Sequence, residues 1–345
     1  MLIPPQARAG DRIAVLSPAF AAPAVGPGVH EQALRRLREI TGLEPVEFPT
    51  TRQLDASPEA RAADVNAAFA DPSIRAIIAT IGGDDQILVT PHLDPALAQA
   101  DPKPFLGYSD NTNILNWLWQ HDIAGFYGGT TQVHLGAGPA VDDVHLRSMR
   151  AALLDGGEIE LTEPGESEDF GVKWETAEAL TQFGDREPTG PWRWAGPGRR
   201  VEGRTWGGCV EVLAELALAD RFPPLRALEG TILLLETSER LTPAEDVAEQ
   251  LRSYGERGLL GTVAGVLVAR PPVSDRTRIP SDAERQALRA AQADAVIEQV
   301  SRYNPEAVIC VGVPFGHTRP QWIVPYGGMM TLDGATQEVT AHYGA

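Results

Sequence analysis

The sequence has 345 residues, of which 43% are hydrophobic and 22% are charged, the balance of an ordinary soluble globular protein with room for two domains. Its formal net charge of −18 argues against a surface for a nucleic-acid polymer or an anionic membrane, because both would need a basic surplus. The first residues lack the apolar segment of a signal peptide, and no apolar run is long enough to span a bilayer. We therefore expect a cytoplasmic protein.

Short apolar strands alternate with amphipathic helices from residue 11 onward, which predicts a parallel sheet covered by helices. The predicted strands are 12–16, 46–48, 74–81, 104–107 and 125–129. The predicted helices are 29–40, 58–70, one from about 86, one after Ser109, and 140–155. These elements predict an α/β fold for residues 1–158, with a parallel, flavodoxin-like sheet.

Residues 159–205 are rich in Gly and Pro and show no sustained periodicity, so we expect a long connecting loop or linker. A smaller C-terminal α/β domain is predicted for residues 206–345. Its predicted strands are 230–236, 263–269 and 307–313, and its predicted helices are one after Gly208 to about 219, 243–257 and 281–303. Thr242 and Glu245 spell a capping box at the start of the second of these helices.

Three polar residues stand where predicted strands end, namely Ser109, Glu236 and His317. Ligands of open parallel sheets bind beyond the carboxyl ends of the strands, so these residues are the first candidates for chemistry. A serine becomes a nucleophile when a histidine takes its proton, and a carboxylate on the other ring nitrogen orients that histidine. Each residue also has a plainer interpretation: a helix cap, a surface ion pair and a hydrogen-bonded loop histidine.

A tetrahedral intermediate needs backbone N–H donors for its oxyanion. Gly82-Gly83 ends the neighbouring strand and could offer one donor, and the N–H of Asp110 could offer another; a plain tight turn is the alternative for the two glycines. The segment Gly-Tyr-Ser-Asp-Asn is only half of a G-x-S-x-G nucleophile elbow, because Asn111 replaces the second glycine. An ordinary α/β-hydrolase is therefore not expected.

Six segments resemble the LD-carboxypeptidase family of serine peptidases, in particular its microcin C self-immunity branch. They are GDRIAVLSPA (10–19), TIGGDD (80–85), GYSDNT (107–112), GG (207–208), LLLETSE (233–239) and GHTRPQWIVPYG (316–327). The resemblance implies Ser109 as nucleophile, His317 as base, Glu236 as its orienting acid, and the backbone of Gly83 and Asp110 as oxyanion hole. It also implies an active site in the cleft between two domains, and a homodimer. Cys209 departs from the family pattern, in which asparagine is more common after the two glycines.

Ile81 and the long segment 160–205 favour the self-immunity branch over the cell-wall carboxypeptidases that the family also contains. In that branch Gly82 and Asp84 would contact substrate, and Trp174, Trp192 or Trp194 could stack on a nucleobase, although packing of the loop explains these tryptophans equally well. We expect an amide hydrolase acting on an acyl-nucleotide-like or modified peptide substrate. The alternatives are release of D-alanine from a cytoplasmic murein tetrapeptide, and a non-catalytic small-molecule binding protein.

No cofactor or metal is expected, since serine chemistry needs neither. The rival is a divalent cation held by Asp84, Asp85 and Asp110, because hard ions favour carboxylate oxygens. Cys209 and Cys310 stand far apart among apolar residues and are predicted to be buried reduced thiols.

Overall fold

The alternating elements of the first half form a six-stranded sheet in the computed structural model, which describes residues 1–344. Its strands are β1 (Arg12–Leu16), β2 (Glu44–Glu47), β3 (Ile74–Ala79), β4 (Phe105–Gly107), β5 (Gly125–Tyr127) and β14 (Val324–Tyr326). The order across the sheet is β14-β5-β4-β3-β1-β2, and β1 to β5 run parallel. This is the flavodoxin-like strand order, which confirms the predicted fold class.

An eight-stranded sheet forms the second half. Its strands are β6 (Gly157–Glu160), β9 (Arg193–Ala195), β10 (Arg200–Cys209), β11 (Ile232–Glu236), β12 (Gly265–Ala269), β13 (Val308–Val313), β15 (Met329–Asp333) and β16 (Glu338–Tyr343). The central strands β10 to β13 are parallel, and antiparallel strands flank them on both sides. A separate two-stranded ribbon pairs β7 (Glu166–Ser167) with β8 (Glu187–Pro188).

Nine α-helices connect the strands within the described residues 1–344. They are α1 (Ala22–Val25), α2 (Pro27–Thr41), α3 (Pro58–Ala70), α4 (Pro95–Ala100), α5 (Thr112–Gln120), α6 (Asp143–Arg150), α7 (Val210–Leu218), α8 (Ala244–Glu256) and α9 (Asp282–Tyr303). Apolar side chains of both sheets and of most helices merge into one continuous core. Cys209 and Cys310 are buried free thiols in that core, as predicted.

Three local predictions are corrected by the structure. The helix expected from about residue 86 is two 3-10 turns followed by the short α4, and the helix expected over 140–155 ends as α6 at Arg150 before a wide π turn. The capping box at Thr242 does not form: the cap residue of α8 is Pro243, and the Thr242 hydroxyl donates to Glu211 instead. By contrast, Ser281 caps α9 as expected by accepting from the N–H of Glu284.

The two sheets exchange strands near the chain termini of each half. β14 follows β13 along the chain yet pairs antiparallel with β5 of the first sheet. β6 follows the helices of the first half yet pairs with β16 of the second sheet. Each sheet therefore includes one strand whose neighbours along the chain belong to the other half.

The segment 159–205 is tied to the second half by buried ion pairs rather than left as a free linker. The Asp169 carboxylate accepts from the guanidinium groups of Arg270 and Arg289 and from the backbone N–H of Val273. Glu187 binds the same two arginines. This network fixes the loop against one wall of the cleft between the two sheets.

Candidate active site

Ser109 lies at a sharp corner between β4 and α5. Its φ of +62° is in the left-handed region, which side chains other than glycine, asparagine and aspartate rarely adopt. Tyr108 before it is fully extended, and a 3-10 turn over Ser109–Asn111 leads directly into α5. The corner thus presents the Ser109 hydroxyl at the carboxyl edge of the first sheet.

Asn111 occupies the position of the missing second glycine and holds the corner in place. Its side-chain amide donates to the backbone carbonyls of Ile81 and Tyr108 and accepts from Gln86. A Cβ atom on Gly107 would lie 2.8 Å from the Asn111 side chain, so only glycine fits where the strand meets the turn. Asn111 therefore stabilises the same corner by side-chain hydrogen bonds, in place of the second glycine of the G-x-S-x-G pattern.

The structure brings the three strand-end residues together. His317 Nε2 lies 3.0 Å from Ser109 Oγ, and His317 Nδ1 lies 2.5 Å from Glu236 Oε2. Glu236 is 1% exposed and ends β11, while His317 follows β13 in the adjacent part of the second sheet. A Cβ atom on Gly316 would lie 2.8 Å from Glu236 Oε2, so the glycine before His317 gives the carboxylate its space.

Tyr127 joins this chain of hydrogen bonds, and the sequence reasoning missed it. Its hydroxyl donates to Glu236 Oε1 at 2.5 Å and accepts from the backbone N–H of Ser109 at 3.2 Å. Burial and the nearby Glu236 raise the pKa of the Tyr127 hydroxyl, which stays protonated and able to donate. The signal that could have found it is its position at the end of β5, the strand next to β4.

Glu239 is a second residue that the sequence reasoning did not single out. Its carboxylate Oε2 lies 3.1 Å from His317 Nε2, the same nitrogen that contacts Ser109. Burial lowers the pKa of His317, but the charges and hydrogen bonds of Glu236 and Glu239 outweigh burial and raise it to about 10. The two carboxylates therefore favour the protonated form of the imidazole.

Gly82, Gly83 and Asp110 surround the Ser109 hydroxyl. A Cβ atom on Gly82 would lie 2.9 Å from Ser109 Oγ and 3.2 Å from the Asp110 nitrogen, so any side chain there would cover the nucleophile. Among residues 1–344, no acceptor is found for the backbone N–H of Gly83 or of Asp110. Both donors are thus available to a negatively charged oxygen beside Ser109.

A cavity of about 560 Å³ opens above Ser109 and His317, between the two sheets and the 159–205 loop. Besides His317, four aromatic side chains line it, those of Phe20, Tyr108, Phe170 and Trp174. Charged side chains lie around its floor and rim: Asp84, Glu168, Asp169, Glu211, Glu215, Glu239, Arg240, Arg276 and Arg319. The cavity therefore combines an apolar face with groups of both charges.

The three tryptophans proposed from the sequence are separated by the structure. Trp174 lines the cavity, and its other face packs on a small cluster with Val29 and Ala179. Trp192 and Trp194 are not among the residues that line the cavity; they pack on the main core at β9, on the outer edge of the second sheet. Packing of the loop is thus the role that the structure gives to Trp192 and Trp194.

Asp84, Asp85 and Asp110 do not gather around a common point. Asp85 forms a bidentate ion pair with Arg61, whereas Asp110 is buried and accepts from the Gln86 N–H and the Asn113 amide. Burial raises the pKa of Asp110 to about 6. In the part of the chain that the structure describes, no three His, Cys, Asp or Glu side chains are arranged to hold a metal ion.

Two family models match the chain on either side of the connecting loop. Residues 13–128 match the LD-carboxypeptidase N-terminal domain, and residues 202–332 match the LD-carboxypeptidase C-terminal domain. Within residues 1–344, no helix combines the length and the apolar character needed to cross a bilayer.

Some similar proteins are named as carboxypeptidases and another is named as a microcin C7 self-immunity protein. A protein of Vibrio cholerae named as a carboxypeptidase is 27% identical over 330 residues, which cover 94% of this chain and 92% of that protein. The microcin C7 self-immunity protein of Escherichia coli is 29% identical over 183 residues, covering 52% of each chain.

Solved structures of microcin C7 self-immunity proteins share the fold over almost the whole chain. A protein of this type from Streptococcus pneumoniae, solved in complex with AMP, superposes with a TM-score of 0.84 at 25% identity, covering 97% of this chain and 99% of that one. The self-immunity protein in complex with aspartyl sulfamoyl adenosine gives a TM-score of 0.83 at 21% identity, with 99% and 98% covered.

Proposed function

The chain belongs to the LD-carboxypeptidase family, and from that premise we propose that it is a serine carboxypeptidase or amidase that hydrolyses an amide bond of an acyl-nucleotide or modified peptide substrate. The observation that carries the proposal is the continuous hydrogen-bonded series from Ser109 through His317 to Glu236, at the bottom of the interdomain cavity.

The proposed reaction begins when neutral His317 removes the hydroxyl proton of Ser109 as its oxygen attacks the substrate carbonyl carbon. Glu236 holds the ring through Nδ1–H and stabilises the imidazolium that forms. The negatively charged carbonyl oxygen accepts from the N–H groups of Gly83 and Asp110. His317 then gives its proton to the leaving nitrogen, and a water molecule, activated by the same histidine, releases the acyl group from Ser109.

The aromatic wall and the arginines support an acyl-nucleotide substrate. Base stacking on an aromatic ring contributes roughly 1 to 3 kcal/mol, and Trp174 offers a half-exposed indole face to the cavity. Arg240 is exposed at the rim and forms no ion pair among residues 1–344, so it is free to meet an anionic linking group such as a phosphate. Related structures bind ligands of this kind, aspartyl sulfamoyl adenosine among them.

Release of D-alanine from a murein tetrapeptide is the second candidate. The observation in its favour is the carboxypeptidase-named relative from Vibrio cholerae, which matches over 94% of this chain. Both reactions would use Ser109, His317 and Glu236. They differ in the part of the substrate that the cavity wall contacts.

One experiment separates the candidates. Purified protein is offered aspartyl sulfamoyl adenosine and a tetrapeptide ending in D-alanine, and release of aspartate or D-alanine is followed with and without EDTA. We expect aspartate release that EDTA leaves unchanged. Release of D-alanine alone would move the protein to the cell-wall reaction, and a requirement for Mg²⁺ would revive the carboxylate site at Asp84, Asp85 and Asp110. Tight binding of either compound without cleavage would favour a non-catalytic small-molecule binding protein.

We further propose that the protein works as a cytoplasmic homodimer built from residues 1–158, a connection over 159–205 and residues 206–345. The first family model ends at residue 128 and the second begins at residue 202, so most of this connection lies between them, which supports the division. Light scattering on the eluted protein measures the oligomeric state, and fractionation of the source cells measures the location.

A further inference from the structure

Two oxygen atoms compete for one nitrogen of the catalytic imidazole. Ser109 Oγ lies 3.0 Å from His317 Nε2, and Glu239 Oε2 lies 3.1 Å from the same atom. The other ring nitrogen, Nδ1, is already bound to Glu236. Glu239 therefore touches the atom that has to accept the serine proton.

The contact with Glu239 is incompatible with the role of His317 as a base. A carboxylate has no proton to donate, so its ion-pair contact with Nε2 favours the form of the ring in which that nitrogen carries a proton. With protons on both nitrogens the ring is an imidazolium, which has no lone pair for the Ser109 proton. In agreement, the pKa of His317 is raised to about 10, and the hydrogen bond from His317 lowers the pKa of Glu239 to about 2.

Other charged groups near the ring do not cancel this effect. The groups that face or approach His317 are Glu236, Glu239, Tyr108, His134, Arg240 and Arg319. Burial holds the pKa of His134 well below its usual value, so that ring is neutral, and Arg319 is bound to Asp142. The two carboxylates in direct contact with the ring decide its protonation.

The two carboxylates differ in how firmly they are held. Glu236 is buried, ends a central strand and is fixed by the hydroxyl of Tyr127. The Glu239 side chain is 74% exposed and lies in the segment between β11 and α8. Glu239 is therefore the carboxylate that can turn away from the imidazole, because its side chain is largely in water whereas Glu236 is buried.

We propose that Glu239 is a specificity residue that blocks the catalytic base in the empty site and releases it by binding a cationic amine next to the scissile carbonyl. Because Ser109 Oγ and Glu239 Oε2 contact the same nitrogen, an ammonium group one carbon from the carbonyl that Ser109 attacks comes within reach of Glu239. When Glu239 turns to that ammonium, the Nε2 proton passes to water and His317 becomes a base. The recognition of a substrate amine by Glu239 rests on the proposed function, whereas the block of His317 by Glu239 does not.

The block is tested without any substrate, by labelling Ser109 with a fluorophosphonate, which needs a neutral base but no recognition of an acyl group. Rates are measured from pH 6 to 10 for the parent, Glu239→Gln, Glu239→Ala and the control Glu249→Gln, which changes an exposed residue of α8. Each unit by which the pKa of His317 falls raises the neutral fraction about tenfold. We expect both Glu239 variants to label about tenfold faster at pH 7, and all curves to converge near pH 10. Equal rates at pH 7 for all four proteins would overturn the block.

Amine recognition is tested by comparing kcat/KM for aspartyl sulfamoyl adenosine and its N-acetyl derivative. The parent and Glu249→Gln should prefer the free amine, and Glu239→Gln should lose roughly fivefold or more of that preference, the scale of a partly exposed ion pair. If Glu239→Gln keeps the full preference for the free amine, recognition of the amine by Glu239 is refuted. If neither compound is cleaved, the proposed substrate is wrong, while the labelling experiment still decides whether Glu239 blocks the base.

Discussion

Ser109 occupies a backbone conformation that costs stability and serves its proposed chemistry. With φ at +62°, a serine side chain carries a penalty of roughly 1 to 2 kcal/mol relative to the right-handed region. The surrounding bonds of Asn111 and Tyr127 hold the corner in that conformation. Strain that is maintained by so many contacts is typical of functional sites.

The first prediction concerns this residue. Ser109→Ala should lower kcat by roughly 10⁴- to 10⁶-fold, because only the nucleophile is lost, and the members of such a site act as a unit. The double variant Ser109→Ala with His317→Ala should therefore be little worse than either single variant. Steady-state hydrolysis measures all three, and losses that simply add would contradict a shared proton transfer.

Ser109→Gly separates strain from chemistry. It should be as inactive as Ser109→Ala, yet more stable by about 1 kcal/mol, because glycine adopts positive φ without penalty. The midpoint of chemical unfolding measures the difference between the two variants.

Tyr127→Phe gives the next prediction. The change removes the hydroxyl that donates to Glu236 and accepts from the Ser109 N–H. Hydrogen bonds to charged groups are worth roughly 1.5 to 3 kcal/mol, so activity should fall by about 10- to 150-fold. Tyr343→Phe is the matched control, because it also removes a buried tyrosine hydrogen bond, in this case to the Ile323 carbonyl away from the site. An equal loss of activity in both variants would show a general effect on stability instead.

These residues also show what a sequence can predict about a site. Ser109, Glu236 and His317 could be identified because each stands at the end of an apolar strand or shortly after it, and parallel strands end at a common edge. Tyr127 also ends a strand but was missed, since its role becomes visible only when β5 is known to lie next to β4. Glu239 belongs to a charged segment after β11, and nothing in its spacing indicates that it turns back toward His317.

At the scale of elements, the loop over 159–205 has two parts with different contacts. Its first part contributes residues 168–171 and Trp174 to the lining of the cavity, whereas β9 with Trp194 extends the second sheet. Strands β6 to β9 in this segment have two to four residues, too short to produce the alternation by which strands are recognised in sequence, and β10 begins within the segment at Arg200. The predictions come close to the observed ends for α2, α3, α8, α9, β1, β3, β11, β12 and β13, whose apolar patterns are sustained. They missed β15, β16 and β10, although β10 has ten residues.

The loop yields a prediction that distinguishes its two parts. Trp174→Ala should raise KM for aspartyl sulfamoyl adenosine by about 5- to 150-fold if its indole stacks on the base. Trp192→Ala and Trp194→Ala serve as controls, since both side chains pack on the core away from the cavity. An unaltered KM in Trp174→Ala, or an equal rise in all three variants, would remove the stacking role from Trp174.

At the scale of the whole molecule, the exchange of β6 and β14 ties the two sheets together. A chain ending at residue 158 would lack β14 and would be cut within β6, whose partner β16 lies in the second half. Sequence patterns could not reveal this exchange, because a strand of three residues such as β14 is apolar in either sheet.

The exchange predicts that the two halves unfold together. Differential scanning calorimetry of the intact protein should give one transition whose calorimetric and van't Hoff enthalpies agree. Fragments 1–158 and 206–345 should remain unfolded when made separately. Two resolved transitions, or a folded isolated fragment, would show that the shared strands are dispensable.

The distance along the chain between Ser109 and His317, 208 residues, has a consequence for biosynthesis. A ribosome releases the serine and its corner long before the histidine, and β14, β15 and β16 follow later still. A nascent chain therefore carries an unactivated serine, and under the proposed mechanism hydrolysis begins only once the last strands are in place. Like a zymogen, the protein is then inactive while it is being translated, but it has no segment that must be removed before it becomes active.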